Sequence, residues 1–115
     1  MVRKIISKKI GITIENYLNI LKKDNLPIKK VILFGSFAKG RQKKWSDVDI
    51  CIVSSRFKSR DHAIKYLWGK KNQLPIDAHE THDLEPLGFN PKDFIDEDPL
   101  VWEIKKTGKI IYQKN

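Results

Sequence analysis

The chain has 115 residues, of which 40% are hydrophobic and 32% charged, and 23 Lys+Arg against 14 Asp+Glu give a formal net charge of +9. That length suits a single domain over residues 1–115 and excludes an enzyme with a separate substrate-recognition module; no apolar run reaches the ~18–20 residues of a membrane span, so no membrane is expected. The basic excess favours phosphate-bearing partners, although a solvated surface explains it equally well.

In chain order, Met1 to Lys9 is basic, but Ser7-Lys8-Lys9 breaks its apolar stretch, so no signal peptide is expected. From Ile10 to Lys23, Ile10, Ile14, Tyr17, Leu18 and Leu21 recur at helical spacing, and Asp24-Asn25 with Pro27 stop the helix. Val31-Ile32-Leu33-Phe34 reads as a buried central strand ending at Gly35. Ser36 to Lys39 is a short helical turn closed by Gly40, and Arg41 to Trp45 is a basic loop. Asp47 to Val53 alternates, with Val48, Ile50 and Ile52 towards a core and Asp47, Asp49 and Cys51 on a polar face. Ser59 caps a helix to about Asn72, with Ala63, Ile64, Leu67 and Trp68 as its buried stripe. Pro75 opens a third strand that places Asp77, His79 and Thr81 on one face. Asp83 to Asp93 reads as a loop because of Pro86, Gly88, Asn90 and Pro91. A helix over Pro99 to Lys106 ends at Gly108, and Ile110 to Tyr112 forms an edge strand. The fold class is α+β: a small mixed sheet with helices packed on one face. The single cysteine, Cys51, excludes an internal disulfide and a Cys-based zinc site, and makes a reducing, cytoplasmic setting the default.

Candidate chemistry concentrates in two segments. Gly35-Ser36 opens a helical turn after a buried strand, where backbone N–H groups can meet an anion; it also fits a plain strand-to-helix turn. Asp47 and Asp49 lie ~6.5–7 Å apart on one strand face and can converge on a Mg²⁺ ion. Without a cation they repel and should weaken the sheet. Asp77 is the expected third carboxylate, on a neighbouring strand, and three such groups can hold two metals ~3.5–4 Å apart. His79 is a weaker candidate. Glu80 faces the wrong way, Asp83 lies beyond the strand, and Glu85 enters only if the register is wrong by more than one residue. Lys39 and Arg41 are placed to neutralise phosphate charge, Lys43 and Lys44 read as solvated, and Trp45 as packing rather than base stacking.

The run Phe34-Gly35-Ser36-Phe37-Ala38-Lys39-Gly40-Arg41, then Ser46-Asp47-Val48-Asp49-Ile50, resembles the minimal nucleotidyltransferase branch of the polymerase β-like nucleotidyltransferase superfamily. Pro75-Ile76-Asp77 is similar to its third acidic strand, and Lys106 to Tyr112 to its closing turn and strand. The resemblance implies that Gly35 and Ser36 hold a nucleoside triphosphate and that Asp47, Asp49 and Asp77 ligate two Mg²⁺ ions. It also implies that Asp77 helps activate an acceptor hydroxyl. The reaction is then transfer of a nucleoside monophosphate, AMP from ATP being the expected pair, with release of pyrophosphate. Lys39 departs from the arginine frequent in this branch and lacks the bidentate fork. Members of the branch are often paired with a HEPN-domain toxin, which makes that partner and an acceptor tyrosine on it plausible; an RNA 3′ end or a small molecule is also open, as is oligomerisation. Trp102, Phe94 and Leu100 offer a contact patch, with burial as their default. Two other functions compete: a catalytically silent antitoxin that masks its partner, and a nucleic-acid-binding module driven by charge.

Overall fold

The computed structural model describes residues 8–41, 47–74 and 83–114. Helix α1 (Lys8–Lys23) buries Ile14, Tyr17 and Leu21 completely, the stripe its spacing predicts. It ends where Asn25 turns to φ 59°, with Asn25 N–H donating to Lys22 O and Leu26 N–H to Leu21 O. This pair of bonds satisfies the last carbonyls of the helix and redirects the chain into the sheet.

Strands β1 (Ile28–Phe34), β2 (Val48–Ser54), β3 (Leu84–Phe89) and β4 (Lys109–Gln113) lie in the order β3-β2-β1-β4. β1 is antiparallel to β2 and β4, whereas β2 and β3 are parallel. A parallel pair requires a crossover, and the connection through helix α3 (Arg60–Lys71) provides it. The Ser59 side chain accepts the His62 N–H and caps α3. The remaining helices are α2 (Ser36–Lys39), a 3₁₀ turn (Pro91–Asp93) and α4 (Pro99–Thr107), which Asp98 caps.

One sheet face carries Val31, Leu33, Val48, Ile50 and Ile52 against α1 and against Ala63 and Leu67 of α3. Tyr17 Oη donates to Leu67 O at 2.7 Å, tying the two helices together, and burial raises its pKa. At the far end of α1, Asp24 accepts from Tyr66 Oη at 2.5 Å and from Arg56 at 3.1 Å, with Lys70 at 3.6 Å. The Tyr66 hydrogen bond chiefly holds the Asp24 carboxyl below the usual range, helped by the nearby Lys70 and Arg56 charges. The tie is therefore present above the ordinary aspartate pKa and fades as pH falls through the lowered value.

The α+β class and mixed sheet agree with the sequence, and α1 and α3 share one face as expected. α4 differs: it lies on the opposite face, where Val101 and Ile104 pack with Ile32, Cys51, Val53, Phe89 and Phe94. Cys51, expected on a polar face, is fully buried there, and burial pushes its thiol up to about 12. Ile64 and Trp68 of α3 are exposed instead of buried. Among the described residues no helix is long and apolar enough to cross a membrane.

The expected loop from Asp83 to Asp93 is instead strand β3 followed by the 3₁₀ turn. Among the described residues β3 is an edge strand, where a proline such as Pro86 is tolerated. Gly88 lies beneath α3: a Cβ there would meet Ala63 Cβ at 2.7 Å, Phe57 Cε2 at 2.8 Å and Leu67 Cδ1 at 2.9 Å. Gly88→Ala should therefore force α3 off the sheet and destabilise the fold by roughly 1–3 kcal/mol. A shift of the urea midpoint measures this, and an unchanged midpoint would refute the close packing.

Candidate functional site

The strand registers set up three rows of side chains across the face that α4 partly covers. These are Lys30–Val53–Phe89, Ile32–Cys51–Leu87 and Phe34–Asp49–Glu85. α4, with Phe94 just past the 3₁₀ turn, closes over the first two rows. The third row, at the carboxyl end of β1, is left half-buried and carries two acids side by side on parallel strands. Asp47, exposed just before β2, adds a third carboxylate.

Gly35 follows β1 directly and sits at φ 76°, ψ −154°, a conformation that side chains resist. A Cβ at this position would collide with the Asp49 carboxylate. The glycine therefore brings main chain and Asp49 oxygens into direct apposition. α2 begins at once with Ser36, and Gly40 at φ 69° ends it, with Arg41 N–H donating to Ser36 O at 2.8 Å.

Burial is the main reason the Asp49 carboxyl titrates above its ordinary range; the neighbouring Asp47 charge adds to this, and a hydrogen bond with Glu85 opposes it. Glu85 is raised too, first by desolvation, then by its hydrogen bond with Asp47 and the charges of Asp47 and Asp49, with Lys71 opposing. The three carboxyl groups thus repel one another, and burial adds to the cost of ionising Asp49 and Glu85. Among the described residues no group of three or more His, Cys, Asp or Glu side chains is placed to hold a metal ion. The donor chemistry nonetheless fits a hard divalent cation. Asp49 lies alongside Glu85 and both interact with Asp47, so the donors are carboxylate oxygens, and a cation among them would offset their repulsion.

Of the predicted site residues, Gly35, Asp47 and Asp49 are brought together. Ser36 opens α2 beside them, and Arg41 is exposed just past its end. Lys39 Nζ lies 3.4 Å from Glu103 Oε2 of α4, an exposed pair of little energetic weight. Asp77, His79 and the strand expected from Pro75 lie outside the described residues, as do Lys43, Lys44 and Trp45. The residue alongside Asp49 is Glu85, which the sequence reading kept only as a fallback. The missed signal was the alternation Leu84, Pro86, Gly88 against Glu85, Leu87, Phe89, obscured by two turn formers. Phe94 is buried, Leu100 half-buried and Trp102 48% exposed, so the C-terminal patch reduces to Trp102.

A family profile described as nucleotidyltransferase domain matches residues 14–111. None of the curated proteins matches the chain in sequence. Solved structures share the fold. A toxin–antitoxin complex crystallised with AMP-PNP has a chain 22% identical, with a TM-score of 0.51 over 88% of this chain and 74% of that one. The toxin–antitoxin MntA–HpeT, in a form with two aspartates two positions apart changed to glutamate, gives 14% identity and a TM-score of 0.54 over 88% and 73%. A Sulfolobus solfataricus protein assigned as a nucleotidyltransferase gives 18% and 0.52 over 89% and 87%.

Because Asp49 and Glu85 have raised pKa values in the folded state, their contribution to stability is present at pH below the ordinary carboxylate range. It is lost as pH rises through the raised values. In metal-free buffer at neutral pH, Asp49→Asn should therefore stabilise the protein by roughly 0.2–1 kcal/mol, the scale of a like-charge cross-strand pair. Thermal melts in EDTA from pH 4 to pH 8 test this, and a variant less stable than the parent throughout would contradict the repulsion.

Proposed function

Because this chain belongs to the nucleotidyltransferase domain family, we propose that it moves AMP from ATP to an acceptor hydroxyl with Mg²⁺ as cofactor, as the antitoxin of a HEPN-type toxin pair. The observation that supports this reading most directly is the meeting of Asp47, Asp49 and Glu85 beside the Gly35 turn. The donor and the pairing draw support from the AMP-PNP and toxin–antitoxin complexes that share the fold.

In this mechanism Asp47 and Asp49 would hold the metal, with Glu85 as the third carboxylate. When bound, Mg²⁺ would shield the phosphate charge and lower the pKa of the attacking hydroxyl. The Gly35 main chain, unobstructed by a side chain, lets the triphosphate approach the Asp49 oxygens, and Ser36 offers a hydroxyl to it. Arg41 balances phosphate charge from the end of α2, and Lys39 does so on leaving Glu103. Glu85, beside Asp49, takes the proton of the acceptor hydroxyl. The acceptor oxygen then bonds to the α-phosphorus, and pyrophosphate leaves in line. Positioning and charge balance supply the rate, since no covalent chemistry on the protein is needed.

Asp47→Asn with Asp49→Asn should abolish labelled-nucleotide transfer to a toxin partner while the far-UV spectrum is kept. Full transfer by that double variant would discard the assignment. Glu85→Gln should lower kcat by about 10²-fold or more, the scale of a lost general base. Testing Asp77→Asn in parallel decides between the two candidates for the third carboxylate: the residue whose variant keeps normal turnover does not fill the role.

A further inference from the structure

Glu85 sits between two anchors from the last turn of α3. Two residues before it, Asp83 Oδ2 accepts from Lys71 Nζ at 2.9 Å. The other oxygen, Asp83 Oδ1, accepts the Leu84 N–H at 3.0 Å, and the Asp83 carbonyl accepts the Val48 N–H at 2.7 Å. Asp83 therefore fixes the start of β3 against β2. One residue after Glu85, the Pro86 carbonyl accepts from Trp68 Nε1 at 3.3 Å. The two anchors are themselves joined, since Lys71 Nζ lies 4.0 Å from the centre of the Trp68 ring.

Lys71 is only 15% exposed, unlike the solvated Lys65 of the same helix at 78%. A long cationic side chain held this closely loses rotamer freedom, so its placement must be offset by the contacts it makes. Those contacts do not anchor α3, which Ala63, Leu67, Tyr66 and the cap at Ser59 already fix. They act on β3, which among the described residues has a strand partner on one side only and would otherwise be free to shift. A shift of β3 moves Glu85 relative to Asp49, which lies on the central strand.

We propose that Lys71, seated on Trp68 and bonded to Asp83, is a positioning residue that holds Glu85 in register with Asp47 and Asp49 for divalent-cation binding. This rests on the metal-binding reading above. It makes a distinctive demand. A lysine near a cation site repels the cation, so a purely electrostatic Lys71 would weaken metal binding, and its removal would tighten it. A lysine that positions a ligand has the opposite effect, and losing such an outer partner typically weakens binding by 10–100-fold.

The test is Mn²⁺ binding by the full chain, followed by titration calorimetry and by the metal-induced rise in melting temperature, alongside Mg²⁺-dependent turnover. Lys71→Met should weaken Mn²⁺ by about tenfold or more and raise the Mg²⁺ concentration for half-maximal rate similarly. Lys71→Arg should bind within about threefold of the parent. Asp83→Asn, which keeps the carbonyl bond to Val48, should match Lys71→Met. Unchanged or tighter metal binding in Lys71→Met overturns the proposal, as does an arginine variant as impaired as the methionine one. A parent that binds Mn²⁺ but transfers no nucleotide sinks the functional reading and leaves this comparison intact. A parent that binds no divalent ion overturns both.

Discussion

Repulsion among carboxylates at one end of a sheet is the constraint from which the rest of the molecule follows. The row Phe34–Asp49–Glu85 places two acids on neighbouring parallel strands, and Asp47 adds a third at the strand's start. Such a cluster opposes folding, and the protein carries it because the Val53, Phe89, Ile32 and Cys51 side chains behind it are buried under α4, with α1 and α3 closing the other face. The stability of the covered rows supports a charged row that a sheet of this size would not otherwise keep.

Each device around the cluster addresses one consequence of that arrangement. Gly35 removes a side chain so that main chain and carboxylate can stand in contact. Lys71, paired with Asp83, also lowers the charge cost of Glu85 directly. The acidic cluster sits in a chain whose formal net charge is +9.

Much of this was legible before any coordinates. The stripe of α1, the Ser59 cap, the helix from Pro99 and the Gly-Ser and Asp-Val-Asp segments all carry local signals that tertiary contacts only reinforce. The misreadings share a cause, because each depends on a neighbour remote in sequence. Pro86 and Gly88 look like a turn unless β3 is known to lie at an edge and beneath α3. Ile64 and Trp68 look buried until the packing of Ala63 and Leu67 sets the rotation of α3, leaving the Trp68 indole to bond to the Pro86 carbonyl. Cys51 looks solvent-facing until α4 closes over it. Glu85 was hidden by the same two residues that hid its strand.

The placement of the acids on strands of unequal tenure has a dynamic consequence. Asp49 belongs to β2, which is laddered on both sides and covered on both faces from Ile50 to Val53, so those amides should exchange with solvent only on global unfolding. Glu85 belongs to a margin that can open by a smaller, local excursion. Mild denaturant would then displace the Glu85 carboxylate while the remainder of the globule stays native, well ahead of the cooperative transition.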